Sequence, residues 1–162
     1  MNNTHFALLE SPRGQMLAAR EGDALVGLWF ASQPAAPSYD SSLLDDANST
    51  PIFRETQSQL NEYFAGKRQE FNLRYELRGT QWQKSVWAEL EKICFGESKS
   101  YGEIAQELGR KGAARAVGNA VGKNPVCIVV PCHRVLPAGG GLGGYNGGVE
   151  NKKALLKVEG IK

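Results

Sequence analysis

The apolar pattern of this chain changes character at residues 78–80, and that change limits the fold more than any other feature. Before it, HFALLES (5–11), GQMLAARE (14–21) and ALVGLWF (24–30) are short apolar runs separated by SPRGQ and EGDA. Runs of this length divided by Ser, Pro, Gly and Asp predict strands in a small antiparallel meander. After it, Thr80 with Gln83 and Ser100 with Glu103 have capping-box spacing, which starts helices. Trp82, Val86, Leu90 and Ile93 then recur on one helical stripe. The chain is therefore expected to be α+β, with an N-terminal α/β domain over 1–78 and a mostly helical domain over 79–162.

The remaining segments fill in that outline. Residues 31–49 are polar and rich in Pro, Ser and Asp, hence a loop. Thr50 is placed as an N-cap and Pro51 at the first helical position, with Phe53, Leu60 and Phe64 along one face of a helix stopping near Gly66. FNLRYEL (71–77) reads as a further strand or an extended linker. YGEIAQEL ends at Gly109, and a tight GRKGAAR connection leads to AARAVGNAVG, a second short helix of mostly small residues. The pair is either a helix-turn-helix or an ordinary helical hairpin. VCIVV (126–130) reads as a buried extended run. Residues 139–148 contain 7 glycines in 10 and predict a loop, and VENKKALLKVEG predicts an amphipathic closing helix.

Charge is divided unevenly. Residues 1–80 carry 7 Lys+Arg against 10 Asp+Glu, a balance of −3, and residues 81–162 carry 12 against 7, a balance of +5. A basic second half suits a polyanion, although a plain solvated surface accounts for it equally well. No apolar run approaches a membrane span, and MNNTHFALLES has neither the basic flank nor the apolar centre of a signal peptide. An odd set of three cysteines makes no disulfide framework and fits a reducing compartment. These features predict a cytoplasmic protein with no membrane association.

The chemistry concentrates in NPVCIVVPCHRV (124–135). The only histidines are His5 and His133, and the cysteines are Cys94, Cys127 and Cys132. No CxxC or HxxxH spacing occurs, and adjacent Cys132 and His133 are poorly placed to chelate one ion, which argues against a metal site. Cys94 and Cys127 read as small apolar core residues. Cys132 stands at the end of the apolar run with an imidazole and a guanidinium on the next two positions. Such neighbours favour thiolate, the nucleophilic form of cysteine. A histidine base needs an orienting carboxylate, and Glu159 on the closing helix is a candidate.

PCHRV preceded by NPVCIVV, with SYGEIA and AARAVGNAVGKNP upstream and GGYNGG and LLKVEG downstream, resembles the O6-alkylguanine-DNA alkyltransferase family. The similarity spans 79–160 in motif order and spacing. It implies a ribonuclease H-like first domain and a helix-turn-helix in the second. It also implies single-turnover transfer of an alkyl group from O6 of guanine in DNA, more weakly from O4 of thymine, without a cofactor. The partner implied is double-stranded DNA bound through its minor groove by a monomer, with cooperativity along the DNA left open.

Residue by residue, the resemblance makes Cys132 the acceptor, His133 its activator through a bridging water, and Glu159 the group that orients the histidine. Asn124 braces the active-site segment, and Tyr101 donates to the flipped base. Arg115 enters the duplex where the guanine was. Ala113, Ala114, Ala116, Gly118 and Ala120 let the helix lie close to a narrow groove, and Lys123 meets phosphate. Val135, Tyr145 and Asn146 shape the substrate pocket, Asn146 standing where relatives often carry serine. Arg134 is either a phosphate contact or a buried structural arginine.

Overall fold

Strands β1 (His5–Leu9), β2 (Met16–Glu21) and β3 (Ala24–Phe30) form the antiparallel meander in a computed structural model that describes residues 4–34 and 36–161. Leu9 lies opposite Met16, and Met16 opposite Phe30, with a bulge at Ala19/Arg20. The described chain divides at Leu77/Arg78 into two compact units. Among the described residues no helix is long and apolar enough to cross a membrane.

In the first unit the sheet is covered on both faces, which is why β2 buries Met16, Leu17, Ala18 and Ala19 in succession. One face packs Phe6, Leu17 and Ala19 under Tyr39 and Leu43 of the 31–49 loop, and Tyr39 stacks on Phe6 at 5.2 Å between ring centroids. Helix α1 (Pro51–Phe64) buries Ile52, Phe53, Thr56, Leu60 and Tyr63. Thr50 occupies the N-cap position without a side-chain capping bond. Tyr63, fully buried, takes the interior place expected of Phe64, which is half-buried. Residues 71–77 are the extended linker, held along β3 where Leu25 N–H donates to Arg74 O and Glu76 N–H donates to Leu25 O.

In the second unit both capping boxes close. Gln83 N–H reaches Thr80 Oγ1 at 3.1 Å and Thr80 N–H reaches Gln83 Oε1 at 2.9 Å; Ser100 and Glu103 repeat the exchange. Gly79 precedes the first box because a Cβ there would stand 2.5 Å from the Trp87 ring. Helix α2 (Gln81–Leu90) stops short of Ile93, which is nevertheless buried. Helices α3 (Tyr101–Glu107) and α4 (Ala114–Val121) follow and pack against each other, and α4 also packs on α2. Strands β4 (Lys99–Ser100) and β5 (Val135–Leu136) pair in parallel, and α5 (Val149–Val158) closes the unit.

One expectation fails here. VCIVV is buried but not extended. Val129 N–H donates to Cys127 O at 2.8 Å and Val130 N–H to Val126 O at 3.0 Å, so the segment folds back as a tight turn. Ile128 sits at φ 71, a left-handed conformation unfavourable for a β-branched residue. Strain of this kind, about 1–3 kcal/mol, persists only where the surroundings enforce it.

Candidate active site

Asn124 is the enforcing group. It is buried, and its carboxamide reaches both ends of the turn: Oδ1 accepts from Val126 N–H at 3.0 Å, and Nδ2 donates to Val130 O at 2.8 Å. Pro131 ends the segment, and residues 132–134 make one turn of 3-10 helix. This geometry sets Cys132, 5% exposed, against a cavity of about 350 Å³. Tyr101 at the start of α3, Gly118 and Asn119 on α4, Cys127, Tyr145 and Asn146 share the cavity wall.

A buried thiolate is costly unless donors meet it, and here they do. A hydrogen bond with Cys127 does most to hold the Cys132 thiol below the ordinary thiol range; burial opposes it, while Asn124, Tyr145 and the Lys152 charge assist. Cys127 is pushed well above that range, first by the same hydrogen bond and then by burial. Burial, followed by the nearby Cys132 charge, raises the phenols of Tyr101 and Tyr145, the latter strongly. One sulfur favours the anion while its neighbours keep their protons.

His133 is fully enclosed, with Nε2 2.6 Å from Glu159 Oε2. Burial holds the imidazole below its ordinary range against the pull of that carboxylate. A neutral imidazole facing a carboxylate carries its proton on that side, so Nε2–H donates to Glu159 and Nδ1 keeps its lone pair. Nδ1 is buried and has no hydrogen-bond partner among the described residues. Glu159 is also gripped by Arg134, whose Nε donates to Oε1 at 2.7 Å and Nη2 to Oε2 at 3.0 Å, while Nη1 donates to Ile93 O at 2.6 Å. Of the two readings of Arg134, the buried structural one holds. An acid capping α5 at its C-terminus is unfavourable toward the helix dipole, and this fork offsets it.

A thiol set to ionise beside a neutral, carboxylate-oriented imidazole, under a cavity open to a short helix pair, matches the family suggested by the motifs. Residues 81–161 match the family model described as 6-O-methylguanine DNA methyltransferase, DNA binding domain, and residues 4–77 match that described as 6-O-methylguanine DNA methyltransferase, ribonuclease-like domain. The chain belongs to the 6-O-methylguanine DNA methyltransferase family. It is 45% identical to the methylated-DNA–protein-cysteine methyltransferase of Mycobacterium bovis, over 96% of this chain and 92% of the relative. It is 38% identical to the constitutive enzyme of that name from Bacillus subtilis, over 97% and 96%. The crystal structure of Mycobacterium tuberculosis OGT in complex with DNA superposes with a TM-score of 0.85 at 43% identity, covering 96% of this chain and 92% of that one.

The other residues that the family resemblance singles out divide by position. On α4, Val117, Ala120 and Val121 face inward, and the carbonyls of Ala116 and Ala120 accept from the indoles of Trp82 and Trp87 at 3.2 and 2.8 Å. Ala120 is thus a core residue, not one that relieves a groove. Arg115 and Asn119 are exposed, and they flank a shallow groove with Ala114, Gly118 and Tyr101. A Cβ at Gly118 would meet the Tyr101 ring at 3.6 Å. Lys123 is exposed, and Asn146 lines the cavity.

Val135 does not line the cavity. Its side chain is fully buried as part of β5, and its carbonyl accepts from Lys152 Nζ at 2.8 Å. Cys94 is exposed and not a core residue, because it stands past the end of α2. Cys127 is buried as expected, but it has an ionisable neighbour in space, Cys132.

Lys152 escaped sequence reasoning. It is fully buried, and its Nζ also reaches Gly144 O at 3.4 Å. The signal was available: Lys152 lies three and four positions before Leu155 and Leu156, on the apolar stripe of α5. Among the described residues no group of three or more His, Cys, Asp or Glu is arranged to hold a metal.

Proposed function

We propose that this chain repairs DNA by direct reversal, taking a methyl or larger alkyl group from O6 of guanine, and more slowly from O4 of thymine, onto Cys132 in a single turnover. The observation that carries this assignment is the Cys132 sulfur facing the cavity among protonated donors, backed by the His133–Glu159 pair. The thiol proton leaves through a water to Nδ1 of His133, and Glu159 stabilises the imidazolium that forms. The sulfur lone pair then forms the S–C bond as the C–O6 bond breaks. Its electron pair passes to the purine, which takes up one proton and leaves as ordinary guanine. Tyr101, kept protonated by burial and by Cys132, donates to the departing base. Cys132 ends as a thioether that water does not cleave. Each molecule acts once, and the scheme calls on no cofactor.

The target carbon is inaccessible inside a base stack, so the nucleotide is extruded at a cost of a few kcal/mol. Exposed Arg115, which lines a shallow groove together with Tyr101, suits insertion into the gap. Ala114, Ala116 and Gly118 present a low surface to the minor groove, where readout is nearly blind to sequence, as damage surveillance requires. Lys123 meets phosphate. The OGT–DNA complex supports DNA as the partner. A site built wholly within one unit suits a monomer acting on DNA in the cytoplasm.

Mixing the protein with a methylated duplex and weighing it intact tests the assignment. One equivalent should react, with a gain of about 14 Da located at Cys132, as covalent transfer of a methyl for a proton requires. Sustained turnover, or methyl on another residue, overturns it.

A further inference from the structure

Cys127 lines the same cavity as Cys132, and its thiol is the first influence favouring the anion there. Their proximity is imposed by the backbone. Cys127 bridges to Val130, Cys132 N–H donates to Val130 O at 2.8 Å, and the corner between them is turned by Ile128 at φ 71 under the Asn124 clamp. A turn strained at a β-branched residue fixes where both sulfurs stand. Neither is in a disulfide.

We infer that Cys127 is a positioning residue for alkyl transfer: its S–H donates to the Cys132 sulfur and leaves that sulfur's remaining lone pairs turned to the cavity. This rests on Cys132 being the acceptor. The other groups facing Cys132 are the Tyr101 and Tyr145 phenols, the Asn124 amide and the Lys152 ammonium, with His133 next in the chain. Lys152 acts through its charge, since its Nζ is engaged by the carbonyls of Val135 and Gly144. Cys127 is the foremost of the groups that favour the anion at Cys132. A thiol is a weak donor, so it steadies an anion without binding the nucleophilic electrons as tightly as a hydroxyl does.

Cys127→Ala and Cys127→Ser separate this role from packing. The rate of Cys132 alkylation by iodoacetamide is followed against pH, with peptide mass spectrometry separating it from Cys94 and Cys127, and melting confirms that each variant is folded. Cys127→Ala should move the midpoint up by about one pH unit, the usual effect of losing a hydrogen bond to a charged form, and slow transfer from methylated duplex at neutral pH by up to about tenfold. Cys127→Ser, which keeps a donor, should stay at or below the wild-type midpoint. An unmoved midpoint in Cys127→Ala overturns the inference, as does a midpoint raised equally in both variants. Should Cys127→Ala fail to fold, Cys127→Ser decides alone: a midpoint raised by about one unit overturns the role, and one held or lowered supports it. Failure of the wild type to take methyl from DNA at Cys132 is a separate result, and it removes the proposed function itself.

Discussion

The Glu159 carboxylate lies 2.6 Å from Nε2 of His133, and both side chains are wholly shut off from solvent. The same carboxylate is the counter-charge of Arg134. Removing it leaves a buried guanidinium uncompensated, which costs about 3–5 kcal/mol. Glu159→Ala should therefore lower unfolding stability by that amount in urea. Glu159→Gln, which keeps the shape, should retain more stability yet lose the support for an imidazolium. Its single-turnover rate should fall by on the order of a hundredfold, the lower end of general-base contributions. A wild-type rate in Glu159→Gln would remove His133 and Glu159 from the proposed chemistry.

The pH profile of transfer follows from the same surroundings. Cys132 is held below the ordinary thiol range by Cys127, so the rate should rise with pH to a midpoint below about 8.5. His133 is held below the ordinary imidazole range by burial, so it stays an available base on the acid side of about 6.5. For stability the sign is fixed. As pH falls through about 6.5 the unfolded chain protonates its imidazole before the folded chain does, and stability falls toward the lower folded value. A transfer midpoint at or above about 8.5 contradicts the proposed environment of Cys132.

Asn124→Ala strands the buried Val126 N–H and removes one of the two donors to Val130 O, leaving that of Cys132 N–H. The stranded N–H should cost about 1–3 kcal/mol, measurable by denaturant unfolding. With the clamp gone, Ile128 is free to leave its left-handed conformation, and Cys127 and Cys132 should lose their alignment. Slower transfer is expected together with reduced stability. Full stability with slow transfer would mean that Asn124 acts on the sulfur directly and not through the turn.

What could be read from the sequence was what is local. Capping boxes at Thr80 and Ser100, the three strands and the α5 stripe depend on residues a few positions apart, and all are present. The 126–130 turn was misread because its course is set by one buried carboxamide and one strained residue, neither visible as a period. Cys132 was found from His133 and Arg134 beside it, yet neither neighbour hydrogen-bonds the sulfur; both turn to Glu159. The donors that matter to the thiol, Cys127, Asn124 and Tyr145, converge through folding.

Exposed Arg115 lines the groove shared with Tyr101 but not the cavity that Cys132 faces. Arg115→Ala should therefore react with free O6-methylguanine as the wild type does, while duplex reaction slows. If Arg115 also neutralises phosphate, its deficit should shrink as salt rises, because the variant releases fewer counterions and its binding falls less steeply with salt. Equal losses on base and duplex would show that Arg115 shapes the pocket and does not enter the helix. Cys132→Ala is the complementary control, expected to keep DNA affinity and lose transfer.

Methylation of Cys132 should destabilise the protein in a pH-dependent way. The cavity of about 350 Å³ has room for a methyl group, so crowding is not the main cost. The loss is electrostatic. In the unmodified protein the folded thiol titrates below the unfolded one, so its contribution to stability is present above the unfolded value of about 8.5 and is lost as pH falls through the folded value. A thioether cannot ionise, and it leaves the donors of Cys127 and Tyr145 facing a poor acceptor. A buried donor left so costs about 1–3 kcal/mol. The melting temperatures of methylated and unmodified protein should therefore lie apart, and further apart at pH about 9 than at about 6, since only the unmodified form gains across that window. Identical melting at both pH values would mean that the folded chain gives the Cys132 anion no more support than water does.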